Sequence, residues 1–285
     1  MVDVSPTDLA QARALLAPAL AQRGGLCVLT GAGMSAESGI PTFRDARTSA
    51  PTAPAALVPQ GELLDLGRPS AQRGYWSQFD PMELASEDGF RAAPQRVWDW
   101  YAERRVGVQQ AQPNAGHLAL AAFARRHPGV LTLVTQNVDD LHQRAGNADA
   151  IRLHGDIMED RWLDGCARHA RGGHVCDPQG AEGGRPPRCV ECGNRLRPGV
   201  VWFGEELPLH ALDAAERAAS NCAVMLVVGT SGAVWPAAGL PARARRNGAQ
   251  VLIVNPNESE IDAEAHLVLR GTAAAVLPAL LAQPG

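Results

Sequence analysis

Thr30-Gly31-Ala32-Gly33-Met34-Ser35-Ala36-Glu37-Ser38-Gly39-Ile40-Pro41-Thr42-Phe43-Arg44-Asp45 follows a short apolar run, Leu26 to Leu29. Such a run, closed by turn residues, reads as a buried strand. The small residues let the backbone turn sharply with its N–H groups facing outward, and a helix starting near Ser35 would aim its positive end at a pyrophosphate. Gly-x-Gly alone is a weak dinucleotide signal, so the surrounding chain has to supply the context. Working outward, apolar runs recur at Val130 to Val134, Ile151 to His154, Val224 to Val228 and Val251 to Val254. Each leads into small or polar residues: Thr135-Gln136-Asn137-Val138-Asp139, His154-Gly155, Gly229-Thr230-Ser231 and Asn255. Strands of this kind alternating with helical stretches predict an α/β fold, a doubly wound, Rossmann-like parallel sheet. Ligands in that architecture bind at the carboxyl ends of the strands, where the polar residues stand.

The helical stretches are periodic. Leu9, Ala12, Leu15, Leu16 and Leu20 predict a helix over Pro6 to Gln22, kinked or ended by Pro18. Residues 81–106 read as helix in at least two pieces broken near Pro94, and Asn114 caps a helix running to Arg126. A further helix spans Pro236 to Arg246. Two segments break the alternation. Residues 46–72 are Pro- and Ala-rich without periodicity and read as a long surface loop. Residues 158–197 are rich in Gly, Pro and Arg and hold four of the six Cys, too few large aliphatics for a core, which favours a metal staple. The expected organisation is therefore a main α/β domain from residues 1–45, 107–157 and 198–285, a loop with a Pro- and Ala-rich insertion followed by a helical segment at 46–106, and a small Cys-rich module at 158–197.

Composition removes several functions. The net charge of −4 gives no general affinity for nucleic acid or an anionic membrane. All 26 basic residues are Arg, which excludes a phosphate-gripping Walker Lys, a Schiff-base Lys and a Lys base. No apolar run reaches the ~20 residues that span a bilayer, and the start of the chain, with Asp3 and Asp8, lacks a basic leader. A cytoplasmic monomer is the expectation. In that compartment, clustered Cys favour metal over disulfides, while Cys27 and Cys222 sit by apolar runs as buried thiols.

The continuation Ser38-Gly39-Ile40-Pro41-Thr42-Phe43-Arg44-Asp45 has no place in an ordinary dehydrogenase fingerprint and resembles the signature of the sirtuins, NAD-dependent protein deacylases. Gln136-Asn137-Val138-Asp139, His154-Gly155 and Val200-Val201-Trp202-Phe203-Gly204-Glu205 line up with the same family over nearly the whole chain. The resemblance implies that NAD is consumed as a co-substrate and acylated-lysine proteins are the partners. The acyl-lysine oxygen attacks C1′ of the nicotinamide ribose, nicotinamide leaves, and the acyl group ends on ADP-ribose. His154 is implied as the base, a role suited to imidazole near neutral pH. Asn137 and Asp139 are implied to orient the ribose and nicotinamide. Gly31, Ala32, Gly33, Ser35, Ala36, Gln136, Gly229, Thr230, Ser231 and Asn255 are implied to hold the rest of NAD, with Phe43 and Arg44 over the reacting carbon. Against the family's compact members, about two dozen residues look inserted between Arg44 and Gly74-Tyr75-Trp76. The substrate peptide is implied to lie along Val201, Phe203, Gly204 and Glu205 by backbone pairing.

Tyr101 and Arg104 lie three apart on a predicted helix and share a face. The helical neighbours of Arg104 at three and four positions, Trp100, Tyr101, Gly107 and Val108, include no carboxylate, which suits the guanidinium to a substrate carboxylate. With the small Ala85, the pair resembles class III sirtuins, which remove succinyl, malonyl and glutaryl groups in preference to acetyl. The family's first Cys-x-x-Cys pair is broken here. Cys189-Val190-Glu191-Cys192 supplies one pair, and Cys166 with the distant Cys176 is the alternative for the other, so a structural zinc on Cys166, Cys176, Cys189 and Cys192 is expected. His169 and His174 stay open as substitutes, as does a module without metal. A plain deacetylase, a mono-ADP-ribosyltransferase and a non-catalytic NAD or ADP-ribose sensor are the competing readings.

Overall fold

The computed structural model describes residues 4–41, 81–165 and 181–282. Along the chain, α1 (Pro6–Leu16) leads to β1 (Leu26–Thr30), and a helical block follows as α2 (Pro81–Leu84), α3 (Glu87–Ala92), α4 (Pro94–Gln110) and α5 (Ala115–Arg126). Next come β2 (Leu131–Thr135), α6 (Leu141–Ala145), β3 (Ile151–Arg152), β4 (Gly155–Trp162), β5 (Ala181–Glu182), β6 (Arg188–Cys189) and β7 (Leu196–Val200). The last part runs α7 (Leu209–Asn221), β8 (Val224–Val228), α8 (Leu240–Arg246), β9 (Gln250–Val254), β10 (Leu267–Leu269) and α9 (Ala273–Leu280).

Six strands form one sheet in the order β10-β9-β8-β1-β2-β3, with every pairing parallel. The chain winds outward from β1 through β2 to β3, then returns to the other side of β1 with β8, β9 and β10. The direction reverses between β1 and β8, and a crevice opens at such a switch point. Alternation along β1 shows how the layers close. Leu26 and Val28 pack with Ala12, Leu120, Val276 and Leu277 of α1, α5 and α9. Cys27 and Leu29 pack on the other face with Ala211, Ala215 and Ala219 of α7 and Leu240 of α8. Covering both faces explains why these strands are uninterrupted apolar runs. Each fully buried Leu or Val contributes roughly 1.5–3 kcal/mol.

A third core stands apart from the sheet. Phe90, Val97, Trp100 and Tyr101 of the helical block pack on Ile157, Val200 and Trp202, beside the antiparallel pair β4–β7. Arg105 ties α4 to β4, its Nε donating to the Ile157 carbonyl at 2.5 Å and its guanidinium pairing with Asp160 at 2.5 Å.

Most local expectations hold. Pro18 ends the α-helical part of the first helix, which continues as a 3₁₀ turn over Ala17–Ala21. Pro94 opens α4, where its missing N–H costs nothing, and Asn114 caps α5 through the N–H groups of Gly116 and His117. The helix expected near Ser35 does not form. Two 3₁₀ turns, Ala32–Met34 and Ala36–Ser38, stand there, and Gly39 at φ 86° ends the second in the left-handed region. β3 is shorter than the apolar run suggested, and β4 and β7 straddle the expected limits of the Cys-rich module. α7, α9 and β10 had no assigned place in the sequence reading. The 46–72 loop and Gly74-Tyr75-Trp76 lie outside the described residues. Among the described residues, no helix is long and apolar enough to cross a membrane.

Candidate active site

The glycine turn after β1 meets the turn after β8. Gly31 N–H donates to the Val228 carbonyl at 3.0 Å, and Gly33 N–H donates to that of Gly229 at 2.8 Å. These amides therefore serve the second loop, and the expectation that they face outward is corrected. The glycines are required by this approach: a Cβ on Gly33 would lie 2.8 Å from Gly229 Cα, and one on Gly229, itself at φ 61°, 2.5 Å from the Met34 nitrogen. Asn114 braces the turn from α5, its Nδ2 donating to the Met34 carbonyl at 2.8 Å and the Ser38 hydroxyl at 3.1 Å.

Ser35, fully buried at the end of that turn, links it to β2. Asn137 Nδ2 donates to its Oγ at 3.0 Å, and Ser35 in turn hydrogen-bonds the Asp139 carboxylate. Asp139 also accepts from the Leu141 N–H at 3.1 Å. Burial raises the Asp139 pKa above its ordinary 3.8, opposed by these hydrogen bonds and by the Arg152 charge. Arg152 fixes the loop by donating to the Val138 and Asp139 carbonyls at 2.9 and 3.1 Å. On the other side, Gln136 Nε2 donates to Thr230 Oγ1 at 3.1 Å and Asn255 Nδ2 to the Thr230 carbonyl at 2.8 Å. Ser231 Oγ accepts from the Ala233 N–H at 3.3 Å. Gln136, Thr230 and Asn255 thus join the ends of three strands.

His154 Nδ1 lies 2.9 Å from the Gln136 carbonyl. A carbonyl only accepts, so Nδ1 holds the proton and Nε2 of the neutral ring is left basic. Burial pushes the His154 pKa below 6.5, with the hydrogen bond to Gln136 opposing. Two further histidines, which sequence reading passed over, lie beneath. His142 Nε2 is 3.0 Å from Thr30 Oγ1, which also hydrogen-bonds Thr135 at 2.8 Å, and the His142 and His117 rings are 4.7 Å apart. Burial, with a nearby positive charge, lowers His117 to about 4 and His142 to about 3. Only the spacing of His117 from the cap Asn114, as the third residue of a capping box, signalled its role.

The chain after β7 comes alongside. Val201 N–H donates to the His154 carbonyl at 2.9 Å and Phe203 N–H to the Ala85 carbonyl at 2.9 Å. β7 stops at Val200, before the segment along which the substrate peptide is implied to lie, and Gly204 at φ 87° turns the chain there. The Glu205 carboxylate is engaged by Arg197, by Arg161 at 2.6 Å and by the Trp202 N–H at 2.8 Å. Tyr101 is buried with its hydroxyl 3.1 Å from Trp202 Nε1. One turn on, the Arg104 guanidinium lies over the Trp100 ring, 4.6 Å from its centroid. Arg104 lines a cavity of about 240 Å³ with Gly39, Ile40, Pro41, Glu103 and Val108. Phe43 and Arg44 lie outside the described residues, as do Cys166, Cys176, His169 and His174. Cys189 is buried, and the Gly193 N–H closes its turn onto the Cys189 carbonyl at 2.8 Å, bringing Cys189 and Cys192 onto one tight bend. Among the described residues, no three His, Cys, Asp or Glu side chains form a metal-holding group.

A doubly wound sheet with a buried acid, a carboxamide and an imidazole gathered at the carboxyl ends of its strands is the layout of a nucleotide-using enzyme. The Sir2 family profile matches residues 68–236, and the chain belongs to that family. It is 52% identical over 255 residues to a protein of Ralstonia nicotianae named NAD-dependent protein deacylase, covering 90% of each chain. A protein of the same name from Methylococcus capsulatus is 48% identical over 258 residues, covering 90% of this chain and 91% of that one. The fold superposes on the crystal structure of a Sir2 homologue–NAD complex with a TM-score of 0.73 at 37% identity, covering 99% of this chain and 95% of the other.

Proposed function

We propose that this NAD-dependent protein deacylase of the Sir2 family removes acidic acyl groups, succinyl and malonyl, from protein lysines in preference to acetyl. The observation that supports this acyl class is the pairing of Tyr101 and Arg104 on α4, with Arg104 on the wall of a cavity beside the glycine turn. A guanidinium and a phenol offer a carboxylate three or more hydrogen-bond donors, whereas an acetyl group gives them nothing to hold.

NAD, when bound, supplies a ribose carbon with nicotinamide as leaving group and takes up the acyl group. The residues present fit it: the buried carboxylate of Asp139 and the carboxamide of Asn137, held together through Ser35, suit a ribose and a carboxamide. Asp139 and Asn137, held through Ser35, orient that end. Gly31, Ala32, Gly33, Ala36, Gln136, Gly229, Thr230, Ser231 and Asn255 line the phosphate and adenosine side. Phe43 and Arg44 are assigned to the reacting carbon by the family resemblance alone. His154 Nε2 takes the proton from a ribose hydroxyl, its Nδ1–H anchored on Gln136. The peptide lies along Val201, Phe203 and Gly204, near Ala85, with Glu205 bracing that segment. The paired thiols of Cys189 and Cys192 fit half of a tetrahedral zinc set, and Cys166 and Cys176 complete it in a structural role.

The test is nicotinamide release from NAD with matched succinyl- and acetyl-lysine peptides. Faster turnover of the succinyl peptide is expected. An acetyl preference overturns the acyl class and leaves a plain deacetylase, and zinc content below one per chain overturns the four-Cys site.

A further inference from the structure

The side chain that meets Tyr101 inside the third core has a one-way hydrogen-bonding capacity. An indole N–H is a donor only, so with Trp202 Nε1 at 3.1 Å the Tyr101 oxygen must accept. The phenol has a single proton, and it is therefore not spent on Trp202. Among the described residues no hydrogen bond donated by Tyr101 is formed. We propose that Trp202 is a positioning residue for acyl selection: its indole N–H fixes the Tyr101 hydroxyl as a donor, so that this face presents a hydrogen rather than a lone pair to the acyl group. The inference rests on the acidic-acyl reading and deepens it by naming the residue that sets the polarity of the phenol.

The surroundings hold Trp202 in that role. The Arg197 guanidinium lies 3.4 Å from the centroid of its ring, and Arg197 is itself held by Glu205 and by the Val200 carbonyl at 2.6 Å. The Trp202 backbone N–H donates to the same Glu205 at 2.8 Å, and Phe90 packs on the ring at 5.2 Å. The indole cannot swing away without breaking this set. Burial pushes the Tyr101 pKa up to about 12, so the phenol keeps its proton at working pH. Arg104 also offers only donors. Were the indole N–H absent, the Tyr101 oxygen would be open to accept from another donor, and its proton would no longer be directed. A phenol lone pair facing a carboxylate repels it; a phenol proton binds it. An acetyl group does not sense the difference.

The experiment compares Trp202→Phe, Tyr101→Phe and the double variant on succinyl and acetyl peptides. Trp202→Phe keeps an aromatic ring beneath Arg197 and removes the N–H together with the fused second ring, so the packing loss, which falls on both peptides alike, is read separately from the melting temperature. It is expected to raise KM for the succinyl peptide roughly three- to tenfold, the span of one neutral hydrogen bond. The succinyl kcat and the acetyl kcat/KM stay within about twofold, on the same reasoning. In the Tyr101→Phe background, adding Trp202→Phe is expected to leave the succinyl-to-acetyl ratio unmoved, because the group it orients is gone. Equal losses on both peptides, or full additivity in the double variant, would overturn the proposal. Should Trp202→Phe not fold, the indole N–H resonance of the unaltered chain decides. A larger shift with succinyl than with acetyl peptide supports the role, and equal shifts reject it. If Tyr101→Phe and Arg104→Met leave the ratio unchanged, the acidic-acyl reading itself has failed. If they lower it and Trp202→Phe does not, only the Trp202 role is lost.

Discussion

At the carboxyl edge of the sheet, polar groups are matched to one another before any substrate arrives. Asn137 donates to Ser35, Ser35 bonds Asp139, Gln136 and Asn255 meet on Thr230, and His154 rests on the Gln136 carbonyl. Along α4 the pattern is different. Aromatic rings of Trp100 and Trp202 support an arginine and a phenol, and the phenol keeps a proton that no described residue takes. The edge is organised to do one reaction with fixed geometry. The wall holds donors that a ligand would complete, which is what the proposed choice among acyl groups requires. Under the proposed function, chemistry and selection fall to different cores, and the two meet where Val201 pairs with His154 and Phe203 with Ala85.

The division can be broken experimentally, most forcefully at His154. His154→Ala is expected to lower deacylation by roughly 10²- to 10⁴-fold, the range of a general base, equally on succinyl and acetyl peptides. A loss confined to one acyl group would erase the distinction between edge and wall. In the unaltered enzyme the acid limb of kcat/KM lies below pH 6.5, because burial depresses the His154 pKa.

The sealed pair beneath the edge gives the next effect. His117 and His142 have folded pKa values of about 4 and about 3, below the ordinary 6.5. Between those limits the unfolded chain binds protons that the folded chain refuses, so stability is full above pH 6.5 and falls as pH drops. The expected slope is roughly 1.4 kcal/mol per pH unit for each histidine. Urea midpoints between pH 6.5 and 5 would show it, and His142→Gln should remove about half of the slope. A flat profile would mean that water reaches the pair.

Gly229→Ala comes next, with a left-handed φ of 61° and the Met34 nitrogen 2.5 Å from the new Cβ. It should cost at least about 1–3 kcal/mol in thermal or urea unfolding, from backbone strain alone. Unchanged stability would show that the two loops separate easily. At the wall, Arg104→Met is expected to reduce kcat/KM for succinyl peptide by roughly tenfold or more, the 1.5–3 kcal/mol of a charged hydrogen bond, and to spare acetyl peptide. Equal reductions would make Arg104 a part of the general scaffold.

The sequence by itself determined the sheet and which polar residues stand at its edge. Apolar runs, caps such as Asn114 and breaks such as Pro18 and Pro94 act over a few residues, so they are legible locally. The order of polar residues after each strand followed from the same patterns. Tertiary structure decided what those residues touch. The glycines of the first turn, read as amides for a phosphate, are spent on a loop almost two hundred residues away. Ser35 meets Asn137 across 102 positions, and Tyr101 meets Trp202 across 101. Spacing inside a helix placed Tyr101 and Arg104 on one side, but no local rule brings an indole donor to a phenol. Packing of the third core does that, because close-packed aromatic side chains admit few arrangements and a donor-only group then dictates the direction of the bond.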